Sequence, residues 1–411
     1  MFKIVRFPSK LEHFFNSLKT EFRFGHFEYF KVLVLLIASS WERRNIQALH
    51  RYLDADVFPH RTRFNNFLHV GRWNPERALR KKALEILHQL APKKGETMYL
   101  VLDDSKKGKR GTKMDAVGWL FDPLTKKHTW GHHYIKATIH FRGYTIPWGI
   151  RLYVKKEHCP DLETPFKKIT ELAAELVRSF EPPSGVTVLV LFDSYYLCPT
   201  VVRACRSKKF HFVSTLKSNR NLFVRGRKLK AGTYGTNFFR RKTKSTLKVQ
   251  KDRCIAQYRY VDAGWIAVSK LGKLHIVFSR KNRERLIMGI LTDHPTLIAS
   301  QMITSYEARW SIEVFFKDSK QLLGLGHYQN RPYRAAVTHL HLVCFAYALL
   351  THIALESSCA QEKQSKQARE STSTLQNRLR CILWEDTAQY LKDLPDENSV
   401  FKELSRLLIA A

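Results

Sequence analysis

The sequence has few acidic residues for its number of basic ones. Its 411 residues include 36 Asp and Glu against 70 Lys and Arg, giving a formal net charge of +34 at pH 7. This excess predicts a polyanionic partner, with nucleic acid ahead of an anionic membrane. The hydrophobic content of 44% is in the globular range, so the chain as a whole is not predicted to be disordered.

Long apolar runs are also missing. The longest, Val32–Ala38 and the histidine-interrupted Leu340–Leu355, fall short of the ~20 apolar residues that a spanning helix needs. The first residues lack the apolar core and the small-residue cleavage site of a secretory signal. We therefore expect a cytoplasmic protein with no membrane partner.

Patterns for zinc, disulfides and nucleotides are absent as well. The seven cysteines are scattered without a C-x-x-C pair, which favours reduced, mostly buried thiols. His132 and His133 are adjacent and would face opposite sides of a strand, so they are not expected to share a metal ion. The basic segment 106–113 lacks the residue order of a P-loop and is interpreted as a DNA contact.

Residues 1–92 are predicted to form a helical N-terminal domain that binds DNA. Periodic apolar segments cover Val32–Ser39, Asn45–Tyr52 and Arg61–Leu68. The third carries the basic and amide residues Arg61, Arg63, Asn65 and Asn66. It is either a recognition helix in the DNA groove or only a packing helix, and the sequence leaves both open.

Residues 93–355 are predicted to form an α/β core. Strands are expected at Met98–Leu102, Thr129–Ile139, Tyr144–Tyr153 and Val186–Phe192, with a helix at Glu163–Phe180. This order predicts a mixed sheet with helix on one face. The helical part resumes with Ser305–Leu323 and a buried helix at Val337–Leu355.

A β-rich insertion is predicted at about residues 211–291. Its strands are expected at His211–Leu216, Cys254–Val261, Trp265–Ser269, Leu274–Phe278 and Leu286–Leu291. Residues 219–251 are interpreted as a loop in which many cations alternate with aromatic residues, a mixture that suits phosphate contacts. Lys217 and Arg220, at its start, are predicted to bind DNA. A merely solvated basic loop is the alternative.

Residues 356–411 are predicted to form a linker and a helical C-terminal region. The polar stretch Glu356–Ser373 is interpreted as the linker, and Leu375–Ala411 as two short amphipathic helices. Helices of this kind often serve self-association, so dimerisation is a possible role.

Two acids follow apolar strands, where strand ends meet at one edge of a sheet. Asp193 follows the apolar run 186–192, and Asp104 follows Leu100-Val101-Leu102-Asp103. A third acid, Glu313, lies on a helix with Tyr306, Arg309 and Lys320. At 100° per residue these four side chains fall within about 60° of one another. Three such carboxylates can bind two Mg²⁺ ions and support in-line phosphoryl transfer.

These residues resemble the DDE cut-and-paste transposases of bacterial insertion sequences, which have an RNase H-like catalytic core. The signature Y-x2-R-x3-E-x6-K is met at Tyr306, Arg309, Glu313 and Lys320. Asp104, which Ser105 follows, resembles the family's first acid, and Asp193 resembles its second. Asp103 stays open as an alternative first ligand. The resemblance covers about residues 95–350.

The resemblance implies a metal-dependent endonuclease and strand transferase. Asp104, Asp193 and Glu313 would be catalytic and would hold two Mg²⁺ ions, for which Mn²⁺ substitutes, while Tyr306, Arg309 and Lys320 would bind the DNA ends. It also implies a nucleoid-associated homodimer in a synaptic complex with terminal inverted repeats and target DNA. The alternatives are an RNase H-like structure-specific nuclease, an inactive transposase-derived DNA-binding protein and a basic RNA-binding protein, which would leave the acids unexplained.

One feature departs from some relatives. They carry a Trp in the insertion that stabilises a flipped base during hairpin formation, and the matching stretch 285–292 here has none. Met288 as an apolar wedge and Trp265 from elsewhere both remain open.

Overall fold

The computed structural model describes residues 3–408 except residues 5, 24, 55, 56, 59, 123–125, 252, 253, 283 and 361–369. Its α-helices are α1 (Ser9–Asn16), α2 (His26–Ser39), α3 (Ile46–His50), α4 (Arg61–Val70), α5 (Pro75–Gln89), α6 (Ile169–Arg178), α7 (Pro199–Ser207), α8 (Ala231–Arg241), α9 (Ala299–Glu307), α10 (Trp310–Gln321), α11 (Tyr333–Ala360), α12 (Thr372–Lys392) and α13 (Glu397–Leu407).

The strands are β1 (Thr97–Gly108), β2 (Gly118–Asp122), β3 (Lys127–Phe141), β4 (Tyr144–Tyr153), β5 (Thr187–Phe192), β6 (His211–Leu216), β7 (Asn221–Val224), β8 (Arg227–Lys230), β9 (Ser245–Lys251), β10 (Cys254–Val268), β11 (Gly272–Lys281) and β12 (Met288–Thr292). Helices occupy both ends of the chain and strands its middle. The predicted order of a helical region, an α/β core and a second helical region is therefore the order observed.

The N-terminal helices form because of apolar periodicity and local caps. In α2, eleven of fourteen residues are buried, which suits its nearly continuous apolar sequence. α5 begins where the Asn74 side chain accepts a hydrogen bond from the backbone of Arg77 at 3.0 Å, with Pro75 at its first position. Both are preferred signals for a helix start.

The strands of the described residues form one mixed sheet in the order β2-β3-β1-β5-β6-β12-β11-β10-β7-β8, with β4 beside β3 and β9 beside β10. β5 runs parallel to β1 and to β6, whereas β3 is antiparallel to β1 and to β4. The apolar run of β5 is buried, as a central strand with two covered faces requires. This mixed α/β arrangement is consistent with an RNase H-like core and confirms the predicted fold class.

The strands of the predicted insertion extend the same sheet, because β12 pairs with β6 and β11 pairs with β12. The prediction of a loop at residues 219–251 is wrong, since this segment contains β7, β8, α8 and β9. All four residues of β8 are exposed, so no apolar alternation marks it in the sequence. The separate strands expected at Cys254–Val261 and Trp265–Ser269 are one strand, β10, with an irregularity at Asp262/Gly264.

The prediction of a single helix over Ser305–Leu323 is also wrong. The chain forms two helices, α9 and α10, with a break at Ala308–Arg309. The backbone N–H groups of Ala308, Arg309, Ser311 and Ile312 bond to carbonyls three residues back rather than four. This tighter 3₁₀-type turn separates the helices without a Pro or a Gly. No propensity signal in the sequence marks such a turn.

The long helix α11 packs in the interior as predicted for Val337–Leu355. Its segment Tyr333–Ser357 is the one helix of the described residues that is long and apolar enough to cross a bilayer, and 89% of its apolar window is buried. A core helix packs in this way. The buried hydrophobic cluster also includes residues from α2, from the central strands and from α12.

The C-terminal region differs in part from the sequence prediction. Half of the predicted linker, Glu356–Ser373, lies outside the described residues, while residues 356–360 continue α11 and Thr372 begins α12. Two helices are present as expected, although α12 is 21 residues long rather than short. The division into domains at residues 92 and 355 stays a prediction.

Candidate active site

Asp193 follows the end of β5 as expected, whereas the expectation that the first acid also follows a strand end is wrong, because β1 continues to Gly108 and contains both Asp103 and Asp104. β1 and β5 pair in parallel up to Val101 and Leu191. Asp103 and Asp193 each lie two residues beyond this last pair. β5 ends at Phe192, whereas β1 continues beside β3. The β5 side of β1 is therefore open from Leu102 onward, which leaves room for side chains of other elements.

Asp103 faces the helix that carries Glu313. One guanidinium nitrogen of Arg309 contacts Asp103 Oδ2 at 3.1 Å, and the other nitrogen bonds to Glu313 Oε1. Arg309 thus joins a strand acid to a helix acid about two hundred residues away. Burial raises the pKa of Asp103 to about 7; Arg309 opposes the rise, while Asp104 and Asp193 add to it.

Asp104, the next residue of β1, is held by two other donors. His133 Nε2 lies 2.6 Å from Asp104 Oδ2, and the Tyr196 hydroxyl donates to Oδ1 at 2.6 Å. Burial alone would raise the pKa of this carboxyl, but the hydrogen bonds and the charge of His133 outweigh it and the pKa is lowered. Asp104 is therefore ionised at neutral pH and fixed in orientation.

Asp193 stands in the turn that follows β5. Its Oδ1 accepts a hydrogen bond from the backbone of Tyr195 at 2.9 Å, and its carbonyl accepts one from the Ser214 hydroxyl at 3.2 Å. Burial is the main cause that raises its pKa, and the negative charge of Asp104 raises it further. The charge of Asp104 therefore acts on both Asp103 and Asp193, and the charge of Arg309 opposes its effect.

The break between α9 and α10 preserves the convergence of the signature side chains. The Arg309 guanidinium lies 5.7 Å from the centroid of the Tyr306 ring. A 3₁₀-type turn has three residues per turn, so side chains three positions apart lie one above the other. The Tyr306 hydroxyl meets Thr215 at 3.4 Å, and Lys320 Nζ donates to the Ser105 hydroxyl at 2.5 Å. The four signature residues thus face β1 and β6 from one side.

The back of α10 anchors it in the core. Ile312, Phe315 and Phe316 are buried, whereas Val314 is 38% exposed. Lys136, on β3, is fully buried beneath this helix, with its Nζ 2.8 Å from the centroid of the Phe315 ring and 3.4 Å from Cys344 Sγ. Burial lowers the pKa of Lys136 to about 8.

The donor set of this edge suits a hard cation. Carboxylate oxygens are the ligands that Mg²⁺ prefers. Burial is the main cause that raises the pKa of Asp103 and Asp193, with the charge of Asp104 adding to it, and a bound cation would favour the ionised form of both. Within the described part of the chain no group of three or more acidic, His or Cys side chains is already arranged as a metal cage. The guanidinium of Arg309 stands between Asp103 and Glu313 instead.

The other predicted DNA-binding residues lie beside this edge. Lys217 Nζ lies 5.4 Å from the Tyr195 ring and is exposed. Arg220 is tied to the protein, since it donates to the carbonyls of Leu197 at 2.6 Å and Ser269 at 3.4 Å. Only Lys217 of the two presents its charge to solvent, and both assignments stay predictions.

The basic segment after the first acid is less free than its sequence indicates. Residues 106–108 belong to β1, and Lys109 donates to the carbonyls of Gly326 at 2.8 Å and Tyr328 at 2.9 Å. Burial, together with the charges of Lys107 and Arg43, lowers the pKa of Lys109 to about 7. This lysine holds the segment after α10 against β1.

The N-terminal and insertion candidates are exposed to different degrees. On α4, Arg61, Arg63 and Asn66 are exposed, while Asn65 accepts a hydrogen bond from Asn330 at 3.1 Å. Trp265 is 47% exposed and stacks on His275, whereas Met288 is half-buried. A recognition role for α4 and a wedge role for either insertion residue stay predictions.

Two partners of Asp104 do not follow from the sequence pattern. The sequence indicates His133 only as a structural histidine, yet it holds Asp104, while its neighbour His132 is buried against Tyr328 and the Asp115 carbonyl. Tyr196 lies three residues after Asp193 and donates to Asp104 from the turn after β5. The antiparallel register of β1 and β3, which pairs Lys106 with His133, is the signal that brings His133 within reach of Asp104.

Residues 168–349 match the family model described as the Transposase DDE domain. This supports a DDE-type transposase. The matched segment contains Asp193, Glu313 and the other signature residues, and it begins after Asp103 and Asp104. The search of curated proteins found no match.

Proposed function

We propose that the chain is a DNA transposase that cleaves the ends of its insertion sequence and joins the freed 3′-hydroxyl ends to target DNA. The observation that carries the proposal is the ion-pair bridge of Arg309 between Asp103 and Glu313. It joins Asp103, the neighbour of the proposed first ligand Asp104, to the third acid through the signature arginine, and the charge of Asp193 acts on the same arginine.

Asp104, Asp193 and Glu313 are the residues that would hold the metal. Asp104 suits this role because it is ionised and because His133 and Tyr196 fix its oxygens, as outer partners of ligating carboxylates do. When bound, two Mg²⁺ ions, or Mn²⁺ in their place, activate the attacking oxygen and stabilise the leaving oxygen of an in-line displacement.

Asp103 is assigned to positioning rather than to the metal. Its contact with Arg309 keeps the guanidinium beside Glu313 while no phosphate is present. A DNA phosphate offers the planar guanidinium a bidentate acceptor of higher charge. Arg309 would then turn from the two carboxylates to the phosphate, which frees Glu313 at the moment DNA binds.

Lys320 and Tyr306 hold the DNA on either side of the reacting phosphate. The Lys320 ammonium can exchange the neutral Ser105 hydroxyl for a phosphate oxygen, a stronger acceptor. The Tyr306 hydroxyl is a donor of fixed direction, since its contact with Thr215 sets the ring beside β6. Lys217 would extend the contact along the duplex, and Arg220 would do so after releasing the carbonyls of Leu197 and Ser269.

The partners are double-stranded terminal repeats and target DNA, held by a homodimer in a synaptic complex. The charge of +34 supports a DNA partner, and the resemblance to insertion-sequence transposases supports the dimer. The same considerations favour a cytoplasmic, nucleoid-associated enzyme.

The test is cleavage and strand transfer by the purified chain on the DNA that flanks its gene, with Mg²⁺ or Mn²⁺, comparing wild type with Glu313→Ala. We expect joined products that need both the metal and Glu313. Cleavage without joining would favour a structure-specific nuclease instead. DNA binding without cleavage would favour an inactive transposase-derived binding protein.

A further inference from the structure

The hairpin of β2 and β3 exposes two large aromatic rings beyond the end of β1. Trp119 is 60% exposed and Phe121 is 51% exposed. They are two residues apart in β2 and therefore lie on the same face of the hairpin. Leu120 between them is only 7% exposed, so the opposite face packs on the protein. Two exposed rings on one face of an anchored hairpin indicate an interaction surface.

Contacts within the hairpin hold the rings in place. The strand register pairs Trp119 with Trp130 and Phe121 with His128. The two indoles meet edge to face with 5.6 Å between their centroids, and the rings of Phe121 and His128 are 5.3 Å apart. Lys106 Nζ donates to the carbonyl of Phe121 and joins the hairpin to the strand that carries the acids. The exposed ring area is thus preorganised before a partner binds.

β2 continues the line of β1 in the sheet. Gly108 of β1 and Gly118 of β2 both pair with Gly131 of β3, so the two strands lie on the same side of β3. β5 pairs with β1 only up to Val101, and no described strand pairs with the outer side of β2. One edge of the sheet is therefore unpaired from the acids of β1 to the hairpin.

The length of this unpaired edge corresponds to a short stretch of duplex. Asp104 pairs with Ile135 of β3, and the two exposed rings pair with Trp130 and His128 of the same strand. The distance along β3 from the partner of Asp104 to the partners of the rings is about 17 to 24 Å, at ~3.4 Å per residue. A duplex rises ~3.4 Å per base pair, so DNA along this edge would reach the rings about five to seven base pairs from Asp104.

The charge around the rings favours a polyanion. Residues 105–130 contain seven Lys and Arg against two Asp. Arg110 and Lys113 are exposed, and neither side chain has a hydrogen-bond or ion-pair partner among the described residues. The Trp130 indole donates to the carbonyl of Gly111 at 3.1 Å, which holds this basic loop beside the rings. Cations next to apolar rings suit DNA, which presents phosphates beside sugars and base edges.

We propose that the β2–β3 hairpin is part of the DNA interface, with Trp119 and Phe121 packed against sugars and base edges and with Arg110 and Lys113 at the phosphates. The inference rests on the proposed function in so far as DNA is the substrate held at the acids. A second copy of the chain fits this face less well, because two copies of the same basic surface repel each other.

The experiment measures the affinity of the full chain with Glu313→Ala for a duplex from the DNA that flanks its gene, so the DNA stays uncut. Adding Trp119→Ala and Phe121→Ala should weaken binding about tenfold, which is about 1.4 kcal/mol. The slope of log affinity against log salt should not change, because no cation is removed. Arg110→Ala with Lys113→Ala should instead reduce that slope by about 0.9 for each phosphate contact that is lost.

Phe401→Ala is the matched control, because Phe401 is an exposed aromatic residue of α13, outside the hairpin. It should leave the affinity unchanged, and Trp119→Phe should keep most of it, since a smaller ring still packs against a sugar. Hydroxyl-radical footprints of the parent and the aromatic double variant should differ at one end of the bound site only.

The inference and the proposed function fail separately. A wild-type chain that binds the duplex without cutting it would contradict the proposed function alone. The inference is overturned if the aromatic double variant binds the duplex as tightly as Phe401→Ala does. Loss of self-association by this variant in sedimentation without DNA, with its affinity for the duplex intact, would also overturn it and assign the face to a second copy.

Discussion

The charged side chains at the centre of the sheet and those at its outer edge differ in their exposure to water. At the centre, where β1, β5 and α10 meet, acids and cations are half-buried and contact one another. At the outer edge, Arg225, Arg227, Lys228 and Lys230 around the β7–β8 turn are exposed to water. Buried groups interact strongly and depend on geometry, whereas exposed cations act through many weak, screened contacts. Substitutions at the centre should therefore have the larger effects.

The largest effect is expected for Asp193→Asn, which keeps the shape of the side chain and removes its charge. Cleavage should fall at least about a thousandfold, or roughly 4 kcal/mol of transition-state stabilisation. DNA affinity should not fall, because a negative charge is removed from the DNA-facing edge. Gel-based cleavage and binding assays measure the two separately.

Asp161→Asn is the control, since Asp161 is an exposed acid outside the site. It should keep wild-type cleavage. If Asp193→Asn cleaves as fast as this control, Asp193 takes no part in the reaction and the three-acid site is contradicted.

Much of this centre could be predicted from the sequence, and the limits have physical causes. The apolar run before Asp193 predicts β5, because a two-sided buried strand needs apolar residues on both faces. β8 could not be predicted, because an exposed strand does not show alternating apolar and polar residues. The contact of His133 with Asp104 could not be predicted either, because it depends on strand register, which joins residues far apart in the sequence.

A second large effect is expected for Lys136→Met, which keeps the length of the side chain and removes a fully buried charge. The free energy of unfolding should rise by about 1–2 kcal/mol at pH 7, since an ammonium without a carboxylate partner is costly to bury. Urea titration measures it, with the exposed Lys127→Met of the same strand as control. A loss of stability would mean that the contact with the Phe315 ring outweighs the cost of burial.

Acid should destabilise the protein through its buried histidines. Burial lowers the pKa of His132 and His341 to about 4 and that of His339 to about 3. The unfolded chain binds protons near pH 6.5, so the unfolding free energy is intact above that pH and falls as the pH drops towards 4.

His339→Gln should make this decline shallower by up to about 1.4 kcal/mol per pH unit. The exposed His128→Gln should leave the slope as in wild type. Denaturation curves between pH 7 and pH 4 supply the comparison. An unchanged slope in His339→Gln would show that this ring is protonated in the folded protein.

The smallest effect is expected at the outer edge. Arg227→Ala with Lys228→Ala should reduce the slope of log affinity for DNA against log salt by about 0.9 for each phosphate that the variant no longer neutralises, with cleavage of bound DNA unchanged. Lys93→Ala with Lys94→Ala, an exposed pair before β1, is the control. Equal slopes for the two double variants would show that Arg227 and Lys228 do not contact DNA phosphates.

The most direct test of the account compares two adjacent isosteric variants, Asp104→Asn and Asp103→Asn, in Mg²⁺-dependent cleavage of the flanking DNA ends. If Asp104 holds metal and Asp103 positions Arg309, Asp104→Asn should lose cleavage at least about a thousandfold and Asp103→Asn only about ten- to a hundredfold. The reverse order would make Asp103 the first ligand, and full activity in both would contradict the three-acid site.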